Sequence, residues 1–314
     1  LYLRAISVPG STESSVSTVT KYLDEAIRLD PNFAAAYAYK AGFYASGLTG
    51  NFPNQQAESE QITVENAEQA LALDPALGLA HVALAFVHQA HWRWGEAEQS
   101  LEEALRLSPN NSNVLSQYSR NKRFRGDFSG ALTTAQKAQR LDPQNLSAMY
   151  QLGIAYFYVR DYVAAANSFG IVSALTPDSG NFQLQIGLVE SARGNRSEAM
   201  TELQHAERLY GAETPTVRYP QLAMAYAQIG RQDEVNRLSQ ALQVRAEDMR
   251  VGPAAWALMY IALEDYDQAL DRLEIAVNDH DPDLLSLGAI KANPFGISVL
   301  EEPRFQALRD QIGN

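Results

Sequence analysis

The sequence predicts an all-α protein, a right-handed α-solenoid of stacked helix–turn–helix units with a short C-terminal capping segment. Three observations predict it. Pro75, Pro109, Pro143 and Pro177 stand 34 residues apart at each step. Between them, apolar residues recur at three- and four-residue intervals, the period of an amphipathic helix. Small residues return in phase with the prolines, as a stack of closely approaching helices requires.

Taken in order, an Asp30-Pro31 pair precedes Pro75 by one period plus ten residues, and the Gly/Asn/Pro-rich stretch near 47–56 accounts for the excess as a loop insertion. Leu101, Ala104, Leu105 and Leu107 run up to Ser108-Pro109, and Leu132, Ala135, Ala138 and Leu141 run up to Asp142-Pro143. Each run stops at a proline, which suits the first turn of the following helix and would break the present one. Gly126, Gly194 and Gly230 recur in mid-period, where one helix must end before the next begins. Each period therefore holds two antiparallel helices. In the first helix the small residues are Ala41, Ala85, Ser119, Gly153, Gly187, Ala223 and Ala257. In the second they are Ala97, Ala131, Ala165, Ala199 and Ala269, with Val235 in phase, and near its end Ala26, Ala70, Ala104, Ala138, Ala206 and Ala276, with Val172 and Leu242.

The 34-residue period, the three phased small positions, the aromatics Tyr44, Tyr156, Tyr226 and Tyr260 and the closing proline resemble the tetratricopeptide repeat (TPR). The resemblance implies an array over 1–281, with a partial first repeat and later repeats starting near 34, 78, 112, 146, 180, 216 and 250. Residues 282–314 are then a capping loop and helix. Gly211 in place of a closing proline, and Val235 and Leu242 in place of small residues, depart from the pattern. The phrase Glu302-Pro303-Arg304-Phe305-Gln306-Ala307-Leu308 and the opening Leu1-Tyr2-Leu3-Arg4 resemble the repeat regions of large bacterial regulators. In those proteins the repeats follow a winged helix, a nucleotide cyclase or a Ser/Thr kinase domain. That resemblance implies a regulatory segment of a longer chain.

Composition narrows the function. The 314 residues include 25 Lys and Arg against 37 Asp and Glu, a net charge of −12, and no cysteine. Thiolate metal sites, disulfides and cysteine nucleophiles are excluded. So large an acidic excess opposes direct nucleic-acid binding, and no apolar run reaches the roughly 18 residues of a membrane span. A cytoplasmic location is the expectation. His81, His88 and His91 share one side of a helix, but the first two occupy packing positions of the repeat, so no metal and no cofactor is expected. No phosphate loop or nucleophile elbow is present, and pairs such as Glu102-Glu103 and Glu301-Glu302 diverge on a helix, so no catalytic residue is expected and the chain reads as a non-enzyme. Asn145-Leu146-Ser147 and Asn195-Arg196-Ser197 match the glycosylation acceptor only in pattern.

What remains is binding. Arg120, Lys122, Arg123 and Arg125 place four cations within six residues of an acidic chain. In the repeat frame Arg120 and Arg123 lie on the inner helix face, three apart, where they would take a partner's carboxylate or phosphate or pair with the chain's own acids, such as Asp127. The same frame puts Val82, Phe86, Tyr150, Ile154, Phe157, Tyr158, Leu184, Leu188, Met224, Leu258 and Ile261 along that face as an apolar groove. The expected partner-binding set is Arg120, Arg123, Phe86, Tyr150, Ile154, Phe157, Tyr158 and Leu188. Its ligand is a protein or peptide, with self-association as a further reading. The clamp by which co-chaperone repeats hold a C-terminal carboxylate is absent, because Ala38, Gly42, Val82 and Phe86 occupy its positions.

Overall fold

The computed structural model describes residues 1–8, 13–49, 56–211, 214–281, 284 and 302–311. The expected loop near 47–56 and most of the expected capping loop over 282–301 lie outside them. All of the regular elements among the described residues are helices. The short α1 (Tyr2–Ile6) leads into α2 (Glu13–Leu29). Then α3 (Ala34–Ala45) is followed by a 3₁₀ turn and α4 (Gln56–Leu73), and α5 (Gly78–Ala90) by α6 (Trp94–Leu107). The array continues with α7 (Ser112–Phe124), α8 (Phe128–Leu141), α9 (Leu146–Tyr158) and α10 (Tyr162–Leu175). Next come α11 (Gly180–Arg193), α12 (Arg196–Tyr210), α13 (Arg218–Gln228) and α14 (Gln232–Asp248). Last are α15 (Pro253–Ala262), α16 (Tyr266–Asn278) and α17 (Pro303–Gln311). The first helices of successive pairs start at Ala34, Gly78, Ser112, Leu146 and Gly180, so the 34-residue step of the prolines reappears in the helix starts after the insertion.

The chain divides into two compact units, Leu1–Tyr118 and Ser119–Asn314. In the first, Ala38, Ala41, Ala45, Ala67, Ala70, Ala85, Leu101 and Ala104 form a core filled at its margins by Tyr37, Leu71 and Leu84. A smaller core joins Ala5, Val19, Leu23 and Ala36 beneath Tyr2, Phe33 and Phe43. In the second unit, α9 packs on both α8 and α10, and α11 on α10 and α12, so consecutive helices build one stack. The phased small residues are its contact points. Ala131, Ala165, Ala199 and Ala269 are fully buried, and so are Val235, Val172 and Leu242, which depart from the small pattern.

The turns explain the ruler. Pro75, Pro109, Pro143 and Pro177 do not sit in the first turn of the next helix, as expected, but three residues ahead of it. The preceding polar residue closes a turn across the proline: the carbonyls of Asp74, Ser108, Asp142 and Thr176 accept the N–H three residues on, at 3.1–3.3 Å. The carboxylates of Asp74 and Asp142 also accept the N–H two residues on. Proline's fixed φ suits the second place of such a turn. The mid-period turn is equally regular. Gly126, Gly194 and Gly230 adopt φ of 79°, 78° and 76°. The residue after each donates its N–H five residues back, as in Asp127 to Lys122 (2.9 Å) and Asn195 to Glu190 (3.0 Å). This is the Schellman end of a helix. Asp127, Asp161 and Asp265 then accept from the backbone N–H groups of Gly130, Ala164 and Gln268, capping the second helices.

Candidate partner-binding face

The basic cluster lies at the C-terminal end of α7 and opens the second unit. Arg123 is held by aromatic rings. Its guanidinium carbon lies 4.7 Å from the centroid of the Phe124 ring and 5.0 Å from that of Tyr158, while Nη1 donates to the Tyr158 hydroxyl at 3.2 Å. The Arg120 guanidinium carbon lies 5.1 Å from the centroid of the same Phe124 ring. Each such contact is worth about 0.5–2 kcal/mol, depending on exposure. Burial and the neighbouring Arg123 charge push the Arg120 guanidinium down to about 9. Arginine keeps its proton at physiological pH, so Arg120 remains a cation despite its burial. Burial likewise raises the Tyr158 phenol, and Arg123 opposes that rise.

Asp127 is engaged in the turn. Its carboxylate takes the Gly130 N–H at 2.9 Å and Lys122 Nζ at 3.1 Å, and these bonds hold it below the usual aspartate range. The aromatics that complete the cluster, Phe124 and Phe128, were not among the expected site residues. Phe128 meets the Tyr158 ring at 5.2 Å. Their signal in the sequence was position alone: Phe124 is the fourth residue after Arg120 and so its neighbour on the helix.

The apolar face differs from the expectation. Of the eleven residues assigned to an open groove, Val82, Phe86, Tyr158, Leu184, Met224, Leu258 and Ile261 are buried. They form the packing between helices. Helical periodicity identifies the face on which a residue lies but not how deeply the next helix covers it. The four left half-buried are Tyr150, Ile154, Phe157 and Leu188, all on α9 and α11. Tyr150 stands between the rings of Phe169 (5.9 Å) and Phe182 (5.8 Å), and Phe157 between Tyr158 (6.1 Å) and Tyr162 (5.7 Å). The second unit thus brings together Arg120, Arg123 and Tyr158 as a cluster and keeps Tyr150, Ile154, Phe157 and Leu188 partly open on the following first helices. Phe86 belongs to the first unit, where it is buried in the core with Val82 and Ala85.

Other sequence features resolve into structure. His91 Nε2 lies 2.8 Å from Glu60 Oε1, and burial followed by the Arg93 charge lowers His88. No group of three metal-ligating side chains occurs among the described residues. Glu103 pairs with Arg106 at 2.6 Å, and Glu301 lies outside the described residues. Asn145 accepts from the Ala148 N–H and caps α9, and the Asn195 amide donates to the Glu190 carboxylate. No helix among the described residues is long and apolar enough to cross a membrane.

No protein-family model and no curated protein sequence matches the chain. Solved structures do. A tetratricopeptide-repeat protein from Parabacteroides merdae is 17% identical over 86% of this chain and 99% of its own, with a TM-score of 0.51. In the anaphase-promoting complex hetero-tetramer Cut9–Hcn1, the similar chain is 14% identical over 88% of this chain and 52% of its own, with a TM-score of 0.59. PilW, described as a widely conserved type IV pilus biogenesis factor, is 16% identical over 62% of this chain and 90% of its own, with a TM-score of 0.51. Phased helix pairs, Schellman turns and these likenesses together give the chain the α-solenoid fold of tetratricopeptide-repeat proteins.

Proposed function

We propose that the chain is a protein-interaction scaffold whose second unit takes a peptide segment of a partner on the face of its first helices. In this reading Arg120 and Arg123 receive an acidic side chain, and Tyr150, Ile154, Phe157 and Leu188 receive the apolar residues beside it. The observation that carries the reading is the clustering of Arg123 with aromatic rings and a phenol instead of a carboxylate. A guanidinium stacked in this way has its geometry set in advance and keeps N–H groups for a carboxylate. The scaffold class is supported by the fold and by Cut9, whose structure is that of an assembly with Hcn1.

Selection from a displayed peptide library tests it. The wild-type chain should enrich peptides with Asp or Glu next to an apolar residue. Arg120→Glu with Arg123→Glu should weaken the selected peptides by about tenfold or more, while Arg125→Glu on the exposed edge leaves them bound. A folded double variant that binds the same peptides equally well overturns the assignment.

A second reading makes the array the regulatory arm of a cytoplasmic bacterial regulator. It is favoured by the stretch 302–308, whose Arg304, Phe305 and Leu308 dock α17 on α16. A winged-helix, cyclase or kinase motif in the reading frame upstream of Leu1 would support it, and a frame without one would overturn it.

A further inference from the structure

The outer face of α10 departs from the other second helices. None of its fourteen residues is charged, whereas α6, α8, α12, α14 and α16 all carry charges. Val163, Ile171 and Leu175 are 58%, 54% and 60% exposed, with Gly170 and Ala174 open between them. One period earlier, α8 has Ser129, Thr133, Lys137 and Arg140 where α10 has Val163, Asn167, Ile171 and Ala174. Such solvated side chains are what the outer helix of a repeat ordinarily shows to water. A connected apolar stripe on an exposed helix in a chain of net charge −12 marks a contact surface.

The spacing and the ends of the stripe indicate what covers it. Val163, Asn167, Gly170 and Ala174 follow steps of four, three and four, the heptad-like spacing that suits a second helix crossing at about 20°. Gly170 has no heavy atom within 4 Å of the position where a Cβ would stand, so a second backbone has room to approach there. Arg160 is exposed two residues before the helix, next to the capping Asp161, and Asp178 is exposed three residues after it; neither Arg160 nor Asp178 forms an ion pair among the described residues. The helix between them is about 21 Å long. Inverted about Phe169, the ends of the pattern complement each other: Val163 falls against Leu175 and Arg160 against Asp178, with Asn167 beside Ile171 between them. Self-complementarity of this kind defines an isologous two-fold contact.

We propose that α10 is a homodimerisation helix that packs antiparallel on the α10 of a second copy. Val163 meets the partner's Leu175, and Arg160 meets the partner's Asp178. The contact lies on second-helix residues and leaves Arg120 and Arg123 uninvolved.

Sedimentation equilibrium of the full chain tests it. The wild type should move from the mass of one chain toward twice that mass as concentration rises to roughly 100 μM. Val163→Glu with Ile171→Glu should stay monomeric with an unchanged far-ultraviolet circular dichroism spectrum, since both sites are exposed. Arg160→Glu should weaken the dimer about tenfold, and adding Asp178→Arg should restore it. A wild type that remains monomeric over this range overturns the proposal, which is also the outcome if the stripe serves a different protein. Dimerisation indifferent to the glutamates overturns it as well, as does a charge exchange that fails to restore association.

Discussion

At the scale of single residues, one backbone conformation recurs once per repeat and is met by different side chains. The turn after the first helix needs a left-handed residue. Gly126, Gly194 and Gly230 supply it, whereas Trp92, Arg160 and Glu264 adopt it at φ of 55°, 65° and 61°. A side chain in that region costs about 1–2 kcal/mol because its Cβ crowds the following carbonyl, and glycine avoids the cost. Glu264→Gly should therefore raise stability by about 0.5–1 kcal/mol in urea unfolding. Gly194→Ala should lower it by about 1 kcal/mol, with backbone strain as the sole cause, since a Cβ there would meet nothing within 4 Å. Equal stability of both variants and the wild type would contradict the left-handed assignment. The three glycines announce this turn in the sequence. Trp92, Arg160 and Glu264 do not, because only their distance from the glycines places them in it.

At the scale of elements, neighbouring helices are matched in size. A Cβ added at Gly153 would stand 2.7 Å from the fully buried Phe169 ring, and one at Gly187 would stand 2.6 Å from buried Leu203. Glycine in mid-helix costs about 1 kcal/mol relative to alanine, so its presence here reflects the large residue opposite. In α7 the same position is Ser119, whose hydroxyl donates to the Ala131 carbonyl of α8 at 2.7 Å. Gly153→Ala should destabilise the chain by about 1–3 kcal/mol, as overpacking of a filled contact does. Combining it with Phe169→Leu should recover part of that loss, a coupling that a double-mutant cycle measures directly. Additive losses would separate the two sites. The phased small residues were readable because close approach permits few side chains. The depth of the first-helix face was not. Met224 and Leu258 hold the same repeat position as half-buried Ile154 and Leu188, and Ile261 that of half-buried Phe157, and only the covering helix distinguishes them. Arg123 was readable as a surface charge, but its partner Tyr158 is 35 residues away, beyond any local pattern.

At the scale of the whole molecule, a stack in which each helix touches chiefly its neighbours transmits damage only locally. The C-terminal end shows this most clearly. Helix α17 packs on α16, burying Phe305 and Leu308, while Arg304 reaches Asp271 at 2.7 Å and Glu274 at 2.5 Å. The ion pairs are exposed and screened by solvent, so they add little. The two apolar side chains contribute about 1.5–3 kcal/mol each as an upper estimate, so the cap is held mainly by apolar contact. Ending the chain at Glu301 removes both contributions and uncovers the outer side of α16. Amide exchange in α16 should then accelerate strongly, while α8, α9 and α10 retain their protection, because several helix pairs separate them from the lost contact. High salt, which screens the Arg304 pairs, should reproduce little of this effect in the intact chain. A uniform loss of protection from α8 to α16 on truncation would mean that the second unit unfolds as one cooperative body, and nearest-neighbour stacking would no longer account for its stability.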